Sequence, residues 1–141
     1  MVKKADEDFD RTFLSRKVHG RYVHRDYAAH YFRWGFAGQL CGGKRVLVVG
    51  CGVEHPLCDL LVMPRLNVPA FYLGVDFNPL KGRGLAWSEW LGEFDFTTKW
   101  RTVQKRYEPF DVIVCFEVIE HMSKEDGLKL LRGIKACLAD D

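Results

Sequence analysis

Glu117, Glu120 and His121 stand at i, i+3 and i+4 in the stretch FDVIVCFEVIEHM. On a helix the three side chains would project from one face and could converge on one ion. Two carboxylates with an imidazole suit magnesium or manganese, and zinc less well. His121 also has an ordinary pKa near neutrality, which fits a general base. A second group lies upstream, in KRVLVVGCGVEHP. Gly50, Cys51 and Gly52 allow a tight turn, and the two glycines present no Cβ to a ligand lying against the backbone. Pro56 suits the first turn of a following helix. His55 is a weaker candidate base, since a histidine there more commonly just starts a helix. Asp76, at the end of FYLGVD, offers a carboxylate that can accept hydrogen bonds from hydroxyl groups.

These residues need elements to hold them. Val46 to Val49, Phe71 to Asp76 and Phe110 to Phe116 are apolar runs of the kind found in parallel strands buried on both faces. Residues 1 to 24 are polar and mixed in charge and read as a loose arm; 25–141 read as one domain. A helix is expected from Arg25 to about Leu40, ended by Gly42-Gly43. A short helix should follow the glycine loop and stop at Pro64. Pro79, Gly82 and Gly84 delay the next helix to about Leu85, with Trp87, Trp90 and Leu91 facing the core. Trp100, Val103 and Tyr107 suggest a short amphipathic turn. Ser123 is a plausible N-cap for a last helix with Leu128, Leu131, Ile134 and Leu138 as its apolar face. Alternating strands and helices imply an α/β fold with a parallel sheet and right-handed crossovers.

The ordered blocks VVGCG, LGVDFNP and FDVIVCFEVIEHM resemble the class I S-adenosylmethionine-dependent methyltransferases, over roughly Lys44 to Asp141. The resemblance implies a Rossmann-like, mostly parallel sheet with helices on both faces. It also implies that the C-terminal strands of that fold are missing, the chain stopping after the fourth strand and its helix. The fourth strand would then be an open edge, covered by a missing C-terminal half or by a homodimer partner. The implied cofactor is S-adenosyl-L-methionine. Gly50, Cys51 and Gly52 would lie against it, and Asp76 would hold its ribose. Phe77, with Asp95 and Phe96 near the end of a faint third strand, would flank the adenine. Phe116 and Glu117 would line the methionyl end. The chain departs from the family pattern at Val48, where an acid is usual, and at Glu54, where a glycine is common. Glu54 and His55 also disfavour a dinucleotide, whose pyrophosphate needs free amides at a helix start.

The implied reaction is methyl transfer to an oxygen or nitrogen acceptor, with His121 and Glu117 as the candidate catalytic residues. A small-molecule acceptor is the default, with nucleic acid behind it. The ExxEH pattern is similar to those of ubiquinone-type O-methyltransferases and small-RNA 2′-O-methyltransferases, in which a metal takes part. The plainer reading is a cofactor-lining loop in which Glu117 meets the ligand and His121 caps or packs, with no metal site. The alternative function is a degenerate, non-catalytic module acting through protein association. Arg25, Tyr27, His30 and Arg33 could form a helical face closing over the cofactor, and Lys99, Arg101, Lys105 and Arg106 form a basic cluster. A net charge of +2 over 141 residues gives no strong case for a polyanionic partner. Five scattered cysteines with no CxxC pair read as reduced thiols, so a cytoplasmic setting is expected. No run of 18 apolar residues suggests a membrane span.

Overall fold

The computed structural model describes residues 15–18, 21–24, 27–52, 67–82 and 84–140, with side chains from residue 32 onward. The chain divides into two compact units, Met1–Gly35 and Phe36–Asp141. The first contains a hairpin rather than a loose arm. Strand β1 (Ser15–Val18) pairs antiparallel with β2 (Arg21–His24), with Val18 opposite Arg21. The two residues between the paired ends are His19-Gly20 in the sequence, a spacing and composition that favour a hairpin. Helix α1 (Tyr27–Gln39) follows, within one residue of its expected end. Arg25 and the side chains of Tyr27 and His30 lie outside the described residues, as do His55, Glu54 and the expected helix before Pro64.

The second unit is built on one parallel sheet in the order β5-β4-β3-β6. Its strands are β3 (Arg45–Val49), β4 (Phe71–Val75), β5 (Ser88–Leu91) and β6 (Val112–Cys115). The apolar runs are buried on both faces because each face packs against something. Leu47, Val49, Leu73 and Val75 join Phe96, Val103, Phe110, Leu130 and Cys137 in one core cluster. That cluster lies beneath α2 (Phe96–Arg106) and α3 (Lys124–Cys137). Val46, Val48 and Tyr72 alternate to the other face. There Tyr72 meets Trp87 and Trp90, with ring centroids 6.2 and 5.1 Å away. The result is a Rossmann-like α/β fold.

Three expectations are corrected here. Trp87, Trp90 and Leu91 belong to β5 and its approach, not to a helix from Leu85. Parallel pairing with β4 decides the matter, beginning with the Tyr72 N–H donated to the Trp87 carbonyl at 2.8 Å. Gly74 makes room for this strand's indole, since a Cβ there would lie 2.6 Å from the Trp90 ring. Second, the turn around Trp100 is a full helix, α2. Third, α3 buries Gly127, Leu130, Gly133 and Cys137, while Leu128, Leu131 and Leu138 are exposed. The helix is drawn in through its small residues: a Cβ on Gly133 would lie 2.8 Å from Trp100 Cγ. At 3.6 residues per turn, Leu128 and Leu131 fall on the side of α3 opposite that contact.

Ser123 caps α3 as its position suggests. Its Oγ accepts from the Asp126 amide at 3.1 Å and donates to the Asp126 carboxylate at 2.9 Å. Replacing it with alanine orphans a helix-start donor and should cost about 1 kcal/mol. Thermal melting should show a lowered midpoint for Ser123→Ala and a smaller drop for Ser123→Gly. Equal midpoints for parent and Ser123→Ala would remove the cap from the account.

Candidate functional site

The loops that leave the carboxyl ends of the four parallel strands meet at one end of the sheet, where ligands bind in open α/β folds. The first of them turns sharply because Gly50 and Gly52 both take left-handed backbone angles, φ +71° and +72°. Gly50 and Cys51 donate their N–H groups to the Val75 carbonyl at 2.9 and 3.2 Å, which ties this loop to the end of β4.

Asp76 sits at the centre of that junction. It is only 8% exposed, the one buried charged side chain among the described residues. One carboxylate oxygen accepts from the Gly52 amide at 2.9 Å. The other accepts from the Asn78 amide at 2.9 Å and the Asn78 side-chain Nδ2 at 3.0 Å. The Asp76 N–H donates to the Leu91 carbonyl and its own carbonyl accepts from Phe94, so β5's exit loop is fastened to the same residue. The fold therefore brings the glycine turn and the acid into contact at the strand ends. Asn78 was not singled out by sequence reasoning; its signal is the Asn-Pro step two residues after the acid, a turn pair.

Phe77 beside it is 76% exposed, a ring left facing solvent. The Asp95–Phe96 pair is arranged differently from the expectation. Asp95 is the N-cap of α2, accepting from the Thr97 amide at 3.0 Å and from the hydroxyls of Thr97 at 2.6 Å and Thr98 at 3.1 Å. Partial burial pushes its pKa up, but the bonds from Thr97 and Thr98 outweigh it and hold the carboxyl below the usual carboxylate range. Phe96 is 4% exposed and belongs to the core cluster, so its ring packs in the core.

The loop after β6 packs beside the glycine loop, with Val118 over Gly50. Phe116 is half-buried, and Glu117 takes a left-handed φ of +55° that bulky side chains rarely adopt. Val118 then leads into a 3₁₀ turn, Ile119–His121. Glu117 thus lies before the turn in a different conformation, and Glu117, Glu120 and His121 do not share one helical face. Among the described residues no group of three or more His, Cys, Asp or Glu is arranged to hold a metal ion. His121 is exposed on the turn. The Cys115 thiol is pushed up to about 11, by burial first and by the Glu120 charge second, so it is no nucleophile near neutral pH.

The basic cluster expected on Lys99, Arg101, Lys105 and Arg106 is divided among local partners. Arg106 pairs with Glu89 at 3.3 Å, Arg101 lies over the Trp100 ring at 4.3 Å, and Lys99 lies over Phe94 at 5.7 Å. Among the described residues no helix is long and apolar enough to cross a membrane.

A solved structure with the same fold is the cyclopropane-fatty-acyl-phospholipid synthase-like protein from Lactobacillus casei ATCC 334, at 18% sequence identity and a TM-score of 0.61. The match covers 98% of this chain and 55% of that one, so the chain spans little more than half the length of this structural relative. At that identity the likeness speaks for the fold alone. No curated protein matches the chain. A family model described as a methyltransferase domain matches residues 19–141. By that match, with which the parallel sheet agrees, the chain belongs to the methyltransferase-domain family.

Proposed function

We propose that this chain binds S-adenosyl-L-methionine and carries out, or supplies the cofactor half for, methyl transfer to an oxygen or nitrogen atom of a small-molecule acceptor. The observation that carries this reading is the hydrogen bond from the Gly52 amide to Asp76, which unites the glycine turn and a buried carboxylate at the strand ends.

The residues present fit such a ligand. An ionised carboxylate offers about four lone-pair positions, and three are taken by Gly52 and Asn78. One ribose hydroxyl can be accepted directly, and a second once the Asn78 side chain turns aside. Exposed Phe77 is adjacent and offers a face for a purine ring. The cofactor supplies an electrophilic methyl on a sulfonium centre that leaves as a neutral thioether. The protein's part is alignment and, for a hydroxyl or amine acceptor, removal of a proton. Phe116 and Glu117 border the side of the cleft where the methionyl end would lie. His121, exposed on the next turn, is the base in this reading.

Isothermal calorimetry with S-adenosylhomocysteine and with NAD tests it. Saturable binding of the first and none of the second is expected. A folded protein that does not bind S-adenosylhomocysteine would sink the proposal. One observation favours a second role alongside it. Leu128, Leu131 and Leu138 are exposed, and β6 is the last strand of the described sheet, so a polypeptide partner or a second copy would find an apolar flank there.

A further inference from the structure

We infer that Val118 is a positioning residue that locks the turn bearing His121 onto the glycine loop, so that the two loops move as one body. The inference deepens the methyl-transfer reading and rests on it for its functional meaning.

Gly50 was expected to lie bare against a ligand. In the structure its missing side chain is used by the protein itself. A Cβ built on Gly50 would overlap Val118 Cγ2, with Val118 Cβ at 3.7 Å and Cγ1 at 4.0 Å. The isopropyl group therefore sits in a notch that only glycine at position 50 leaves open. Val118 is held at its other end as well. Its carbonyl accepts from the His121 N–H at 3.2 Å and so closes the 3₁₀ turn. Its side chain, half-buried, packs against the core cluster together with Met122. Ile119 of the same turn rests on α3, where a Cβ on Gly127 would lie 3.3 Å from Ile119 Cγ1.

The linkage runs from the end of β3, through Gly50 and the Val118 side chain, to the Val118 carbonyl and the amide of His121. Gly50 is also bonded to Val75, next to Asp76. The acid that would hold a ribose and the histidine that would take a proton are therefore referenced to the same short loop. Val118 does not touch reacting atoms in this scheme. It fixes the distance across which they act, and a misplacement of about 1 Å can cost on the order of a hundredfold in rate.

A double-mutant cycle tests this, read by thermal melting and by calorimetry with S-adenosylhomocysteine. Gly50→Ala should expel Val118 and weaken binding about a hundredfold, and Val118→Ala should weaken it about fivefold, within the range of coupling between contacting residues. The double variant Gly50→Ala/Val118→Ala adds one methyl carbon at position 50 and removes two at position 118, so the overlap is relieved. It should bind about tenfold better than Gly50→Ala alone and melt higher. It stays below the parent because alanine at position 50 must still adopt a left-handed backbone. Val118→Thr, which keeps the shape, should restore near-parental affinity. A double variant no better than Gly50→Ala in either readout, with both folded by circular dichroism, would overturn the inference. So would parental affinity in Val118→Ala. If the parent protein binds no S-adenosylhomocysteine, the methyl-transfer reading fails, and the melting cycle alone still decides whether Val118 and Gly50 are coupled.

Discussion

Asp76→Ala is expected to weaken S-adenosylhomocysteine binding by roughly 10- to 100-fold, at about 1.4 kcal/mol per factor of ten. The carboxylate is the only charged group among the described residues that is buried at this end of the sheet. Hydrogen bonds to charged groups contribute about 1.5–3 kcal/mol each, so losing the acceptor for one hydroxyl accounts for the range. The same substitution acts on the protein without ligand. It orphans the Gly52 amide and the Asn78 amide, which now end on Asp76 at 2.9 Å each. Leaving such donors unpaired costs about 1–3 kcal/mol where water cannot replace the acceptor. Asn78 is exposed and can turn to solvent, whereas Gly52 is half-buried, so the lower end of that range is expected. Calorimetry and melting on the same sample separate the two effects. A variant that melts lower yet binds with parental affinity would make Asp76 a brace for the loops and no ligand residue.

Gly92→Ala should be the most damaging single-methyl change in this region, with about 3 kcal/mol or more lost from stability. A Cβ at position 92 would overlap the Leu80 backbone nitrogen and lie 3.1 Å from Pro79 Cα and 3.2 Å from the Asn78 carbonyl oxygen. All three neighbours are main chain, so no rotamer change relieves the contact. The loop that would have to give is the one carrying Asn78, which is bonded to Glu93 through a 3.0 Å N–H···O contact and to Asp76 through its own amide. The stability loss should therefore arrive with a loss of ligand affinity. Gly84→Ala is the control: nothing lies within 4 Å of its Cβ position, and its φ of +64° alone predicts about 1–2 kcal/mol. Denaturant unfolding of the two variants should rank Gly92→Ala clearly below Gly84→Ala. The reverse order would mean that the Asn78–Leu80 loop is free to move.

The strands that could be read from the amino acids were the unbroken apolar runs, the half-buried Val112 to Cys115 included. Val46 to Val49 and Phe71 to Val75 are apolar without interruption because helices or aromatic rings cover both sides, and no other element type explains such short runs as well. Strand β5 was expected only as a faint third strand ending near Asp95, and its own residues were given to a helix, for the opposite reason. Ser88-Glu89-Trp90-Leu91 is half polar, and Trp90 with Trp87 just before the strand gives an i, i+3 spacing that imitates a helix; only pairing with β4 makes it a strand. The face of α3 was misjudged because leucines were weighed above glycines, yet Gly133 is what lets the helix reach Trp100. Asp76 was legible through its position at a strand end. Its bond to Gly52 was not, because that depends on how two loops distant in sequence fold together. The i, i+3, i+4 pattern at Glu117 misled for a local reason: the positive φ at Glu117 breaks the helix that the spacing assumes. Phe96 illustrates a similar limit, since as the first residue of α2 it turns its ring into the core cluster.

The order β5-β4-β3-β6 also has a consequence for how the chain acquires its shape. Strand β3 is central, but its partner on one side starts at Phe71 and on the other at Val112, with Val46 pairing first to Tyr72 and then to Val112. Parallel strands cannot be joined by a tight turn, so each strand contact must close a long loop before it yields any favourable interaction. During synthesis β3 would leave the ribosome with both edges vacant and gain its second neighbour only after more than 60 further residues had been made. The hairpin of β1 and β2, which closes locally, faces no such delay. Refolding should accordingly be biphasic, with a fast local phase and a slow one that reports the arrival of β6 beside β3.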